Sequence, residues 1–176
     1  YLGTTAYIEP NGTAEVFTYG NRNVQGIARH PVTGEIWAHE HGPKGGDEVN
    51  ILKKGKNYGW PNVSYGRNYT GTEISETGEH TPKYEAPVLH WTPSIAPSGM
   101  MFYTGNKFPE WNGDLFVGAL AMTHLRRVKL AGTKVIEQEE LLKDMDARIR
   151  DVAQGPDGYI YILTDSDDGK LIKLSK

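Results

Sequence analysis

Short apolar or alternating runs, each closed by a Pro/Gly turn, recur along the chain and predict strands rather than helices. The first pair is Gly26-Ile27-Ala28-Arg29 and Glu35-Ile36-Trp37-Ala38, joined by His30-Pro31-Val32-Thr33-Gly34. With one residue gapped it matches Asp151-Val152-Ala153-Gln154, Gly155-Pro156-Asp157-Gly158 and Tyr159-Ile160-Tyr161-Ile162. Each copy reads as a hairpin followed by a polar loop and a third strand, Glu48 to Leu52 in one and Lys170 to Leu174 in the other. A diverged copy lies between them: Ser98 to Tyr103, a turn at Trp111-Asn112-Gly113, Asp114 to Gly118, His124 to Leu130, and an outer strand over Val135 to Leu142.

Four-strand units repeating at this scale predict an all-β chain whose units are the blades of a β-propeller. A β-sandwich also alternates and turns, but it has no reason to repeat the strand-Pro-Gly-strand unit. About three four-stranded blades are expected. Two stretches fit no blade, Asn62 to Pro87 and Leu89 to Pro97, so 62–97 reads as a long inter-blade loop of the kind that carries function on a rigid scaffold.

Composition agrees with strands and turns: the 176 residues include 21 Gly and 10 Pro, too many for a helical protein. A net charge of −3 with acids and bases interspersed advertises no polyanion-binding face, which argues against nucleic acid. The absence of cysteine excludes disulfides and thiolate metal sites. No apolar run is long enough to cross a membrane as a helix. Tyr1 falls inside what reads as a folded pattern, so the chain is expected to be one piece, 1–176, of a longer processed protein.

Between Arg22 and Trp60 the sequence gathers unusual chemistry. A guanidinium and two amides (Arg22, Asn23, Gln25) precede a strand; a Gly42-Pro43 turn follows it, and then the acidic pair Asp47-Glu48. Such an array can hold a polyanionic ligand and a hard cation side by side. In a propeller, residues just before each innermost strand meet at one mouth of the central channel. Three such positions are Arg22 to Gln25, Thr92-Pro93-Ser94, and Arg148-Ile149-Arg150. Arg148 and Arg150, two apart on an extended segment, face one side and suit a multi-carboxylate ligand. The alternative is that each pairs with a nearby acid, Arg150 with Asp151 or Asp144 for instance.

In their order, Arg-Asn-x-Gln-Gly, Glu-His-Gly-Pro, Gly-Asp-Glu-Val-Asn, Lys-Asn-Tyr-Gly-Trp-Pro, Ala-Pro-Ser-Gly and Arg-Ile-Arg-Asp-Val resemble the soluble quinoprotein sugar dehydrogenases. This is the glucose/sorbosone or aldose sugar dehydrogenase family, six-bladed propellers that use pyrroloquinoline quinone (PQQ) and calcium. The likeness runs from about Phe17 to Leu174 and covers the C-terminal half of a family member. It implies that Arg22, Asn23, Gln25, Arg148 and Arg150 contact the quinone, and that Ser94 stands where the family has a hydroxyl residue. It further implies that the Gly42 and Pro43 carbonyls hold the calcium on the quinone, and that Glu48 and the Tyr58 carbonyl belong to a second, structural calcium site. Trp60-Pro61 is read as packing.

Two departures stand out. The family's quinone-contacting lysine would fall near Ala121, and the general-base histidine belongs to an earlier blade with no counterpart here. The histidines at 30, 39, 41, 80, 90 and 124 are therefore not expected to be catalytic. The implied reaction is oxidation of an aldose to its lactone, with an external electron acceptor, in a periplasmic or secreted protein. This chain would supply most of the cofactor clamp, would be inactive alone, and would associate with a second copy or with the missing half. Two other readings remain: a non-catalytic, calcium-stabilised binding module akin to hedgehog-interacting-type ectodomains, and a calcium-dependent propeller lactonase, which needs an acidic central cage absent here.

Overall fold

The computed structural model describes residues 3–74 and 82–175, which form four antiparallel sheets and no α-helix. A hairpin of β1 (Thr4–Ile8) and β2 (Ala14–Tyr19) comes first. The second sheet contains β3 (Val24–Arg29), β4 (Ile36–Glu40), β5 (Asp47–Leu52) and β6 (Leu89–Trp91) in that order. The third contains β7 (Pro97–Phe102), β8 (Leu115–Ala119), β9 (His124–Ala131) and β10 (Lys134–Leu141), and the last β11 (Ile149–Gln154), β12 (Ile160–Thr164) and β13 (Leu171–Leu174). The up-and-down order is what blades require. The matched turns of the repeat share their geometry: Gly34 and Gly158 both have positive φ (75° and 79°), a conformation glycine adopts without steric cost.

Three differences from the sequence reading follow. Two sheets, not three, have four strands, and the last has three. The β1–β2 hairpin was not anticipated. Leu89–Trp91, assigned to the loop, is the outer strand β6: Val49 pairs with Leu89 and Asp47 with Trp91. Three residues are too few to show a period, so the strand is visible only through its partner. The return leg of the loop is also tied down, with Glu85 bonded to both Lys53 and Lys56 at 3.0 Å and Asn62 Nδ2 donating to Tyr84 Oη at 3.1 Å.

Successive sheets pack face to face. Trp37, Val49 and Trp91 of the second sheet meet Met100, Phe102, Leu115 and Val117 of the third. The third meets the last through Met101, Tyr103, Phe116, Ile149, Ile160 and Ile162. Each of the large side chains contributes about 1.5–3 kcal/mol of apolar burial. The inner strand β7 packs against β3 on one side and β11 on the other. These contacts bring the three inner strands side by side, and with them the segments that precede each. No helix among the described residues is long and apolar enough to cross a membrane.

Candidate cofactor and metal site

The segments leading into β3, β7 and β11 lie at one end of the sheets, joined by contacts between neighbouring sheets. His41, just after β4, has Nε2 2.7 Å from the Pro97 carbonyl at the start of β7. Leu120, just after β8, accepts from Arg148 Nη1 at 3.4 Å at the start of β11. Each inner strand also carries a register shift at this end, between Val24 and Gly26, between Pro97 and Met100, and between Ile149 and Asp151. The extra residues in the first and last are Gln25 and Arg150. Bulges of this kind re-aim side chains beside functional sites, and nothing in the alternation of the sequence announces them.

Arg22 spans the first part of the site. Its Nη1 donates to the carbonyls of His41 (2.9 Å) and Gly42 (3.1 Å), and its guanidinium lies 5.1 Å from the centre of the Trp60 ring. Trp60 thus does more than fill space, because the cation–π contact holds Arg22 in place. Tyr69, within the long loop, comes 3.5 Å from Arg22 Nη2, so the loop reaches this end of the sheets. Beneath Arg22, the buried Glu40 carboxylate accepts from the backbone amides of Arg22 and Asn23. Asn23 and Gln25 are exposed, with Gln25 Nε2 donating to Asn23 Oδ1 at 2.7 Å.

At β11, Arg148 and Arg150 do share a side, but neither suggested acid is the partner. Both reach Asp165, just after β12, at 2.7 and 3.0 Å to Oδ2, and the arginines hold its carboxyl below the usual range. Two guanidinium groups share one carboxylate, and both side chains are about half exposed (50% and 49%). That arrangement leaves surplus positive charge facing solvent, as an anionic ligand requires. Ser94 Oγ donates to Asp47 Oδ2 at 2.6 Å.

Glu48 is buried rather than solvated. It lies directly opposite Glu40 on β4 and β5, buried, with Asn50 Nδ2 donating to both carboxylates at 3.2 Å. Burial, then the charge of Glu40, pushes the Glu48 carboxyl up to about 8. Beside the pair is a cavity of about 10 Å3, with Tyr58, Gly42 and Ser64 also in its wall. Two carboxylates buried together fit a cation, which would remove the cost of their mutual repulsion. Among the described residues no group of three or more His, Asp or Glu side chains could hold a metal; hard Ca2+ also takes carbonyl oxygens. The Tyr58 hydroxyl donates to the Ile51 carbonyl, leaving the main chain as the part of Tyr58 that can face an ion.

The described histidines have structural surroundings. His30 Nδ1 accepts from the amides of Val32 and Thr33, His90 stacks on Tyr65, and His39 and His124 are fully buried; His80 lies outside the described residues. The sequence reading gave no individual role to three acids that the fold places at the site: Glu40, Asp47 (named only as half of an acidic pair) and Asp165. For the first two a signal was present, since polar residues inside an apolar strand pair (His39, Glu40, Asp47, Glu48, Asn50) are all buried.

The family model for glucose/sorbosone dehydrogenases matches residues 5–173. The aldose sugar dehydrogenase YliI of Escherichia coli K12 is 49% identical over 168 residues, which is 95% of this chain and 45% of that protein. A crystal structure of a glucose dehydrogenase superposes with a TM-score of 0.89 at 50% identity, covering 96% of this chain and 49% of the other. The PQQ-bound aldose sugar dehydrogenase of Streptomyces coelicolor superposes with a TM-score of 0.76 at 25% identity, over 98% of this chain and 52% of its own. The chain therefore spans about half the length of the relatives it matches, and it belongs to the glucose/sorbosone dehydrogenase family.

Proposed function

We propose that this chain is the cofactor-clamping part of a six-bladed, PQQ- and calcium-dependent aldose dehydrogenase, acting in the periplasm or outside the cell. The observation that carries this is the pair Arg148 and Arg150, half exposed over a single acid at the same end of the sheets as Arg22 and the Gly42-Pro43 turn. A PQQ-bound relative with the same fold supports the choice of quinone. When bound with calcium, PQQ supplies a two-electron acceptor for hydride from the anomeric carbon of the sugar, which leaves as the lactone.

This chain's own residues bind and orient. Arg148 and Arg150 would hold the quinone's carboxylates with their planar forks, and Asp165 keeps both guanidinium groups on one side. Asn23 and Gln25 offer amides from the exposed edge of β3. The Gly42 and Pro43 carbonyls would ligate calcium. In the structure Arg22 already donates to the Gly42 carbonyl, so a cation there displaces that donor and frees Arg22 for the anionic ligand. Glu48 and the Tyr58 carbonyl would hold a second calcium, with Glu40 as its buried neighbour. The base histidine and the rest of the substrate wall belong to the part of the protein outside this chain. Dye reduction by the full-length protein with a panel of aldoses tests the reading. Turnover that needs PQQ and calcium together supports it; aldose oxidation that is indifferent to both contradicts it.

A further inference from the structure

Asp47 is fully buried at the start of β5, and of the residues that the sequence reading assigned to the quinone or to calcium it touches the hydroxyl of Ser94 and the amide of Gly42. Its carboxylate takes four hydrogen bonds from two different blades. Oδ1 accepts from the Gly42 amide at 3.0 Å, and Oδ2 accepts from Ser94 Oγ at 2.6 Å and from the amides of Ile95 and Ala96 at 2.9 and 3.1 Å. The first bond fixes the turn that carries the Gly42 and Pro43 carbonyls. The other three fix the loop that leads into the next inner strand. A buried carboxylate with this many donors is rigid, because releasing any of them leaves a buried polar group unpaired.

Resting on the cofactor reading above, we propose that Asp47 is a positioning residue for the calcium turn: it sets the Gly42-Pro43 carbonyls in register with the neighbouring blade, and the affinity of the site for calcium depends on it. The carboxylate is needed rather than any polar group of that shape. In Asp47→Asn the new NH2 must face either the Gly42 amide or the trio at Ser94, Ile95 and Ala96. The trio holds more bonds and keeps the oxygen, so the Gly42 amide faces another donor and the turn is released. The arginine pair on β11 is untouched by this change.

The test is PQQ binding to the full-length protein, followed by the spectrum of the bound quinone across a calcium titration. For Asp47→Asn the calcium concentration at half-saturation should rise about ten-fold or more. At saturating calcium the PQQ affinity should stay within about three-fold of wild type. An unchanged calcium midpoint overturns the proposal, as does an equal loss of PQQ affinity at every calcium level, which is the mark of general damage to the fold. Failure of the wild type itself to bind PQQ at any calcium level would overturn the cofactor reading and this proposal with it. Should Asp47→Asn not fold, hydrogen exchange of the wild-type Gly42 amide carries the test. Exchange much slower than that of the exposed neighbour Lys44 supports the anchor, and exchange at the rate of an unprotected amide overturns it.

Discussion

Burying His39 in β4 changes what acid does to this protein. Burial lowers its imidazole from 6.5 to about 4; the Ser98 carbonyl works in the opposite direction, and the nearby His41 adds to the lowering. The folded state therefore binds this proton less readily than the unfolded chain. Stability is whole above the unfolded value of 6.5 and is lost as the pH falls toward 4, by up to roughly 3 kcal/mol. Thermal melts at pH 7 and pH 4.5 should show this loss, and His39→Gln should flatten it; the same decline in the variant would mean that other groups cause it. On the proposed reading the acids at the site answer to metal instead. With Glu40 and Glu48 opposed and buried, calcium should raise the melting temperature even without quinone, and a chelator should reverse the gain. A melting temperature that ignores both would remove the second calcium site.

At the scale of elements, close approach of the inner strands decides the geometry of the proposed clamp. A methyl group at Gly99 of β7 would lie 2.7 Å from Asp151 Cα on β11, and one at Gly118 of β8 would lie 2.9 Å from the Ile149 carbonyl. Gly99→Ala should therefore cost about 1–3 kcal/mol in denaturant unfolding and shift Arg150 with its strand; a change below about 0.5 kcal/mol would show that the strands can slide apart freely. How much of this was legible in the sequence depended on how local the cause was. The hairpins over Gly26 to Ala38 and Asp151 to Ile162 were visible because alternation and a Gly turn lie within a dozen residues of one another. Strand β6 and the bulges at Gln25 and Arg150 were not, because each is defined by its partner strand. The shared side of Arg148 and Arg150 could be read from their spacing, whereas their acid, Asp165, arrives from the far end of β12, beyond any local rule.

Taken whole, the chain offers apolar surface at both ends of its series of sheets: Tyr7 and Ile8 on the first hairpin, Leu163 and Leu171 on the last sheet, with Leu171 68% exposed. Faces of that kind mark association or aggregation, so the isolated 176 residues should scatter light as an assembly and show no sugar-dependent dye reduction with PQQ and calcium present. A monodisperse monomer that turns over sugar would place the whole enzyme within this half. The central claim, that these residues clamp PQQ, is tested most directly by equilibrium titration of PQQ into the full-length protein and its Arg150→Ala variant at saturating calcium. One lost charge-assisted contact should weaken binding by about ten- to a hundred-fold, corresponding to roughly 1.5–3 kcal/mol. Equal affinities for the two proteins would contradict the clamp.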